Sequence, residues 1–183
     1  MADQFDALSD ELSAFIERQK IFFVGSAAPD GLINVSPKGQ DSLRVLGPKQ
    51  ILWMNLTGSG NETAAHVQAL NRITLMWCAF EGPPLILRVY GKATVVHPRD
   101  EGFDAFAAMI PASTGTRQYF LVDVDLVQTS CGYAVPLMDY QEDRQALTLW
   151  ADKRGPEGVA SYWAEKNQQS LDGFPTGILT RDA

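Results

Sequence analysis

Apolar and polar positions change period several times along the chain, and each change marks an element. Leu8, Leu12, Phe15 and Ile16 recur at helical spacing around Ser9. Residues 9–19 are therefore predicted to form an amphipathic helix with Ser9 as its N-cap. Lys20–Ala28 (KIFFVGSAA) is rich in aromatic and β-branched residues and predicts a strand. Pro29-Asp30-Gly31 is a turn signal, and Leu32–Lys38 (LINVSPK) returns as a second strand, which makes a hairpin. Pro37 lacks an N–H, so that strand must be ending there or lie at an edge.

The neighbourhood of Val45 predicts a short strand and Ile51–Leu56 (ILWMNL) a clearer one. After the polar loop Thr57–Asn61, Glu62–Leu70 contains good helix formers. Ile73–Phe80 (ITLMWCAF) is almost continuously apolar, the pattern of a strand buried on both faces. In the long strand expected over 85–96, Leu85, Leu87, Val89, Ala93 and Val95 share one side, and Arg88, Tyr90, Lys92 and Thr94 the other. Gly91 in its middle predicts a bulge or barrel bend. A helix is expected from Pro98 to Met109 and a strand from Gln118 to Thr129. Two C-terminal helices, 141–153 and 156–168, are separated by Gly155-Pro156. Strands do not alternate regularly with helices, which argues against a doubly wound parallel sheet. The expected fold is mainly β: a partly open barrel of roughly six strands with peripheral helices, one domain over residues 1–183.

Composition narrows the function classes. The 183 residues are 45% hydrophobic and 20% charged, a globular composition with enough chain for a core. The formal net charge of -7 argues against a generic nucleic-acid footprint, which needs clustered Lys and Arg. Two cysteines, Cys78 and Cys131, and two distant histidines make no metal pattern. The acidic, amphipathic start has neither the basic region nor the apolar run of a signal peptide, and no stretch has membrane-spanning length. A cytoplasmic protein without membrane or nucleic-acid partners is expected.

Candidate chemistry concentrates in two segments. Asn34, Ser36 and Lys38 alternate with Ile33, Val35 and Pro37, so the polar trio shares one side of its strand. That side fits an elongated polar ligand, or equally an ordinary solvated face. In Asn55–Glu62 (NLTGSGNE) a strand passes through a glycine-containing loop into a helix. Free N–H groups at the helix start suit an anion, and Thr57, Ser59, Gly60 and Asn61 lie beside them. The competing reading is a capped turn with Ser59 or Asn61 as N-cap, and spacing alone does not separate the two. Arg88 and Tyr90 offer a cation and a ring, or a surface pair. Trp53 and Trp77 sit in apolar runs and read as core. Cys131 has no histidine close in sequence and reads as an idle thiol. His66 and His97 read as packing and capping residues. No Ser-His-Asp or paired-carboxylate spacing is present.

FFVGSAAPDGLINVSPKG at 22–39, ILWMNLTGSGNETAAHV at 51–67 and LRVYGKATVVHP at 87–98, in this order, resemble the pyridoxamine 5'-phosphate oxidase-like family of FMN-binding split barrels. SCGYAVP at 130–136 and SLDGFP at 170–175 resemble a subgroup of that family. The resemblance implies a homodimer with FMN bound between subunits, and places Ser36, Lys38 and the loop Thr57–Asn61 near the flavin and its phosphate. Asn34, Asn55 and Arg88 complete the expected cofactor set. The arginine-rich phosphate-binding strand and C-terminal arginine pattern of true pyridoxamine phosphate oxidases are not recognisable here, so the substrate is left open. The expected function is an FMN-dependent oxidoreductase acting on a small molecule. The alternative is a non-catalytic flavin- or haem-binding protein on the same barrel.

Overall fold

The fold is given by a computed structural model that describes residues 2–179. Met1 and residues 180–183 of the expected 1–183 domain lie outside the described residues. The strands are β1 (Asp3–Phe5), β2 (Phe22–Ser26), β3 (Asn34–Lys38), β4 (Leu43–Gly47), β5 (Gln50–Leu56), β6 (Ile73–Cys78), β7 (Ile86–Val96) and β8 (Thr116–Ser130). The helices are α1 (Asp10–Arg18), α2 (Glu62–Ala69), α3 (Phe103–Met109) and α4 (Ala146–Lys166). All strand pairs are antiparallel, in the order β3-β2-β6-β7-β8-β5-β4, with β1 paired to β8.

This ladder curls into a barrel because side chains from its distant parts meet inside. Phe22 of β2 stacks on Trp77 at 6.0 Å and meets the edge of Trp53 from β5 at 6.1 Å. Trp53 stacks on Phe120 at 4.5 Å. Apolar burial of this size is the main stabilising contribution in a domain of this length. Curling requires a local increase in twist, and a bulge supplies it. Tyr90 pairs with Leu126 but Gly91 pairs with Val124, so Asp125 is left over. A Cβ on Gly91 would stand 2.0 Å from the Asp123 carbonyl oxygen, a distance only glycine can accept. The two ends of the ladder, β3 and β4, are not hydrogen-bonded to each other. They are joined by a turn in which Gln40 and Asp41 take positive φ of 61° and 52°. The barrel is therefore split at this seam.

Most elements match the expected order, with physical differences at particular places. Ser9 caps α1 as expected, its Oγ accepting from Leu12 N. Gly155 (φ 68°, ψ 172°) breaks α4 before Pro156, as the sequence indicates. The barrel has more strands than expected. β1 is three exposed residues without a pattern, formed because the end of β8 offers an edge. β6 is not buried on both faces: Thr74 and Met76 are half-buried on the outside of the sheet while Ile73, Leu75 and Trp77 point inward. The helix expected over 98–109 forms only from Phe103, after a turn ending at Gly102 with φ 92°. β8 starts at Thr116, which brings Arg117 into the strand. Among the described residues no helix is long and apolar enough to cross a membrane.

Gly91→Ala is expected to destabilise the protein by about 1–3 kcal/mol, because a backbone carbonyl cannot move aside as a side chain can. Urea unfolding measures it; an unchanged midpoint would show that the bulge tolerates a Cβ.

Candidate functional site

At the seam, the inner face of the barrel is polar. β2–β3 register places Asn34 opposite Ser26, Ser36 opposite Val24 and Lys38 opposite Phe22, so the trio lies on the side that elsewhere holds the core. Ile33 and Val35 face outward at 78% and 65% exposure. This strand reverses the usual assignment of apolar side chains to the interior. The space the trio borders is a cleft of about 780 Å³, within the range of small-molecule sites.

The cleft gathers Asn34, Ser36 and Lys38 from β3, Asn55 from the end of β5, and Thr57, Ser59, Gly60 and Asn61 from the following loop. It does not include Arg88. That residue belongs to an outer cross-strand row, Pro37–Phe23–Met76–Arg88–Gln128, and donates to Ser130 Oγ at 3.1 Å. Tyr90, in the next outer row, donates to Gln128 Oε1 at 3.2 Å. The surface-pair reading describes both in this chain.

The loop is shaped by contacts from far along the sequence. Trp163 Nε1 donates to Thr57 Oγ1 at 2.8 Å, and that hydroxyl donates to Gly115 O at 2.9 Å. Thr57 thus has no hydrogen left for a ligand. Asn61 exchanges amide hydrogen bonds with Gln118, at 2.8 and 3.4 Å. Asn61 holds the N-cap position of α2 but makes no side-chain cap bond. The capped-turn reading is therefore incomplete, and the first-turn amides keep their donor capacity without a side-chain cap. Ser59 is exposed.

Arg117 is the residue that sequence reasoning missed. It stood one position before the expected strand, and nothing local marked it. It is 2% exposed and lines the cleft. Its guanidinium donates to Gly60 O and to Asn167 Oδ1, both at 2.8 Å. Asn167, beyond the end of α4, in turn donates to Gly58 O at 3.1 Å. Burial lowers the Arg117 pKa to about 9, partly opposed by Tyr162 and Glu62. Lys38 stands 5.5 Å over the Trp53 ring. Burial, with the nearby Arg117 charge, lowers its pKa to about 8. Among the described residues neither cation forms an ion pair.

Four buried side-chain atoms on residues lining this cleft also lack hydrogen-bond partners: Trp53 Nε1, Asn55 Oδ1, His66 Nε2 and Arg117 Nε. Buried polar atoms are normally satisfied. Positive charge together with unsatisfied polar atoms, donors and the Asn55 acceptor alike, suits an anionic, polar ligand. Cys131 is exposed and Cys78 buried, and neither borders the cleft.

Lys38 also gives a pH signature. Between pH 8 and its ordinary value of 10.5, the folded chain has released a proton that the unfolded chain still holds. Stability then rises with pH across this window. Ligand-free protein is expected to gain stability from Lys38 between about pH 7.5 and about pH 9.5, and Lys38→Met to lose that gain. Urea unfolding of both proteins at both values measures it; equal pH responses would show that Lys38 keeps its ordinary pKa.

Comparison with known proteins identifies the family and the fold. The sequence model of the family described as "Pyridoxamine 5'-phosphate oxidase" matches residues 8–131. The Aspergillus flavus pyridoxamine 5'-phosphate oxidase family protein ustO is 34% identical over 189 aligned positions, 93% of this chain and 76% of that protein. Among solved structures, a tagged variant of HupZ from Group A Streptococcus superposes with a TM-score of 0.54 at 17% identity, covering 67% of this chain and 98% of that one. A Lactobacillus delbrueckii protein described as a candidate pyridoxamine 5'-phosphate oxidase gives 0.53 at 18%, covering 67% and 94%. The two structures share the split-barrel fold, and on the strength of the sequence matches this chain belongs to the pyridoxamine 5'-phosphate oxidase family.

Proposed function

We propose that the protein is an FMN-dependent oxidoreductase acting on a small molecule. The observation that carries this reading is a pair of cations in one cleft, the buried Arg117 and the half-buried Lys38, which among the described residues have no carboxylate ion-pair partner. Two cations suit a phosphomonoester dianion, with Arg117 offering a planar fork and Lys38 a flexible point charge. The uncapped start of α2 adds backbone donors on the same side. The orphaned atoms of Trp53, Asn55, His66 and Arg117 fit a ligand with several polar groups.

A bound flavin supplies two-electron redox chemistry at its ring, which is why no triad or metal cluster is required of the chain. The chain's own residues bind and orient. Lys38 and Arg117 hold the anionic end. Asn34, Ser36 and Asn55 present amide and hydroxyl groups along the wall, and the Trp53 ring beneath Lys38 keeps that part of the site dry.

The active form is a homodimer. Val35, on the outer side of β3, and Ile33 just before the strand are 65% and 78% exposed, and Leu32 and Leu171, 58% and 78% exposed, border the cleft. Phe23, Met76, Tyr90 and Leu126 continue the outer face half-buried. Exposed apolar side chains beside an edge strand call for cover, and a second copy would close the cleft mouth. Sedimentation should show a stable dimer, as an interface burying more than about 2,000 Å² in total would give; a monomer at micromolar concentration would count against it.

FMN fluorescence titration tests the cofactor assignment. A charge-assisted hydrogen bond contributes about 1.5–3 kcal/mol. Lys38→Ala and Arg117→Ala should each weaken FMN by about 10- to 150-fold. Riboflavin, without the phosphate, should respond little to either change. If riboflavin and FMN weaken alike, the two cations do not hold the phosphate. Purified protein that is yellow and oxidises a reduced nicotinamide supports the enzyme, whereas yellow protein without turnover points to a flavin carrier and a Soret band to haem.

A further inference from the structure

Away from its cations the cleft has a hydrogen-bonding wall centred on His66. The imidazole is 1% exposed and borders the cleft on the face of α2 that also presents Glu62 and Thr63. Its Nδ1 lies 3.2 Å from Ser26 Oγ, and Ser26 Oγ lies 3.3 Å from Thr63 Oγ1. Asn34 Nδ2 donates to Thr63 Oγ1 at 3.2 Å and to Ser26 Oγ at 3.4 Å. Ser36 Oγ donates to Asn34 Oδ1 at 3.1 Å, which fixes the amide orientation. His66 Nε2 alone in this network has no partner, although it is removed from water.

Two hydrogen arrangements satisfy these same heavy-atom positions. In the first, Ser26 donates to His66 Nδ1 in place of Thr63, and Nε2 carries the imidazole hydrogen. In the second, Nδ1 carries the hydrogen and donates to Ser26, Ser26 donates to Thr63, and Nε2 presents a lone pair. The imidazole is neutral in both, and the protein holds the same number of protons. Rotation of the Ser26 hydroxyl accompanies the change of tautomer.

Resting on the reading that the cleft holds a flavin, we propose that His66 Nε2 is a ligand-binding atom that donates in one arrangement and accepts in the other. The Ser26 hydroxyl, donating either to Thr63 or to Nδ1, adapts to the choice. A heteroaromatic ring that gains a hydrogen on reduction presents an acceptor in one redox state and a donor in the other. A fixed donor such as Lys matches only one of these states, and an imidazole with an adaptable neighbour matches both.

The test uses full-length protein carrying 15N-labelled histidine. The chain has two histidines, and His66→Gln identifies the His66 signals. Long-range proton–nitrogen spectra report which ring nitrogen carries the hydrogen. They are recorded without ligand, with FMN, and with FMN reduced by dithionite. The proposal expects the His66 pair to move on binding and its tautomer balance to change on reduction. By fluorescence, His66→Leu should weaken FMN about 2- to 12-fold, the range of one neutral hydrogen bond, while His66→Gln keeps most of the affinity. If FMN binds but the His66 signals do not move, His66 is a packing residue and the flavin reading stands. A shift on binding that reduction leaves unchanged overturns the exchange of donor and acceptor. Failure of wild-type protein to bind FMN overturns the flavin reading and this one with it. Should His66→Leu not fold, the wild-type spectra still decide.

Discussion

Among the described residues, strand β3 ends the hydrogen-bonded ladder and no strand continues the sheet beyond it. That single topological limit sets the character of the molecule. A strand with neighbours on both sides, such as β6, sends Ile73, Leu75 and Trp77 into a filled interior. β3 has β2 on one side and a gap on the other, so its inner side chains border a cavity rather than a packed core. Polar residues are tolerated there because each finds a partner or a ligand-sized space. The same inversion turns Ile33 and Val35 outward, which creates the apolar flank. The cleft and the exposed face are thus two sides of one strand, and a substitution that restored the ordinary pattern would remove both.

The barrel alone does not finish the site. The loop after β5 is held by the C-terminal part of the chain, through Trp163 on Thr57 and Asn167 on Arg117, Gly58 and Ser59. Leu171 N donates to Glu62 Oε2, and Leu32 N donates to Asp172 Oδ2, so the same tail clasps the start of α2 and the hairpin before β3. Gly155 supplies the bend that returns α4 to this position. The tail therefore converts a glycine-containing loop, mobile by composition, into a fixed wall. By linkage, any ligand that binds Arg117 in this posture also stabilises the docked tail.

Much of this was readable in the sequence where a local pattern carries the physics. Ser9, Pro29-Asp30-Gly31, Gly91 and Gly155-Pro156 each specify geometry by their own chemistry, and the structure uses each accordingly. Alternation correctly put Asn34, Ser36 and Lys38 on one side, but it could not say that this side faces inward, because facing depends on where the ladder ends. The continuous apolar run of β6 hid its two faces for the same reason: Thr74 and Met76 look outward toward a surface that local sequence does not define. Arg117 was invisible because its meaning comes from Gly60 and Asn167, 57 and 50 residues away. Arg88 was grouped with the site as a cation on the polar face of its strand, and the parity of β7 puts that face on the side of the sheet away from the cleft.

The two cations are the least comfortable part of the fold. Each is lowered from its ordinary pKa by burial, and for Lys38 the proximity of Arg117 adds to the effect. A chain selected for stability alone would do better with an apolar residue or a paired carboxylate at either position. Glu62 is near enough to attract Arg117 electrostatically, yet its Oε2 accepts from Leu171 N and it forms no ion pair with the guanidinium. The carboxylate is thereby committed to anchoring the tail, and the positive field of the cleft is left largely uncancelled. A dianion entering the cleft would raise both pKa values and relieve the repulsion between the cations. The energy withheld from the ligand-free fold then becomes available as binding energy, which is the usual relation between an unstable site and its ligand. The aromatic core of Phe22, Trp53, Trp77 and Phe120 is what lets the barrel tolerate that arrangement while the cleft is free.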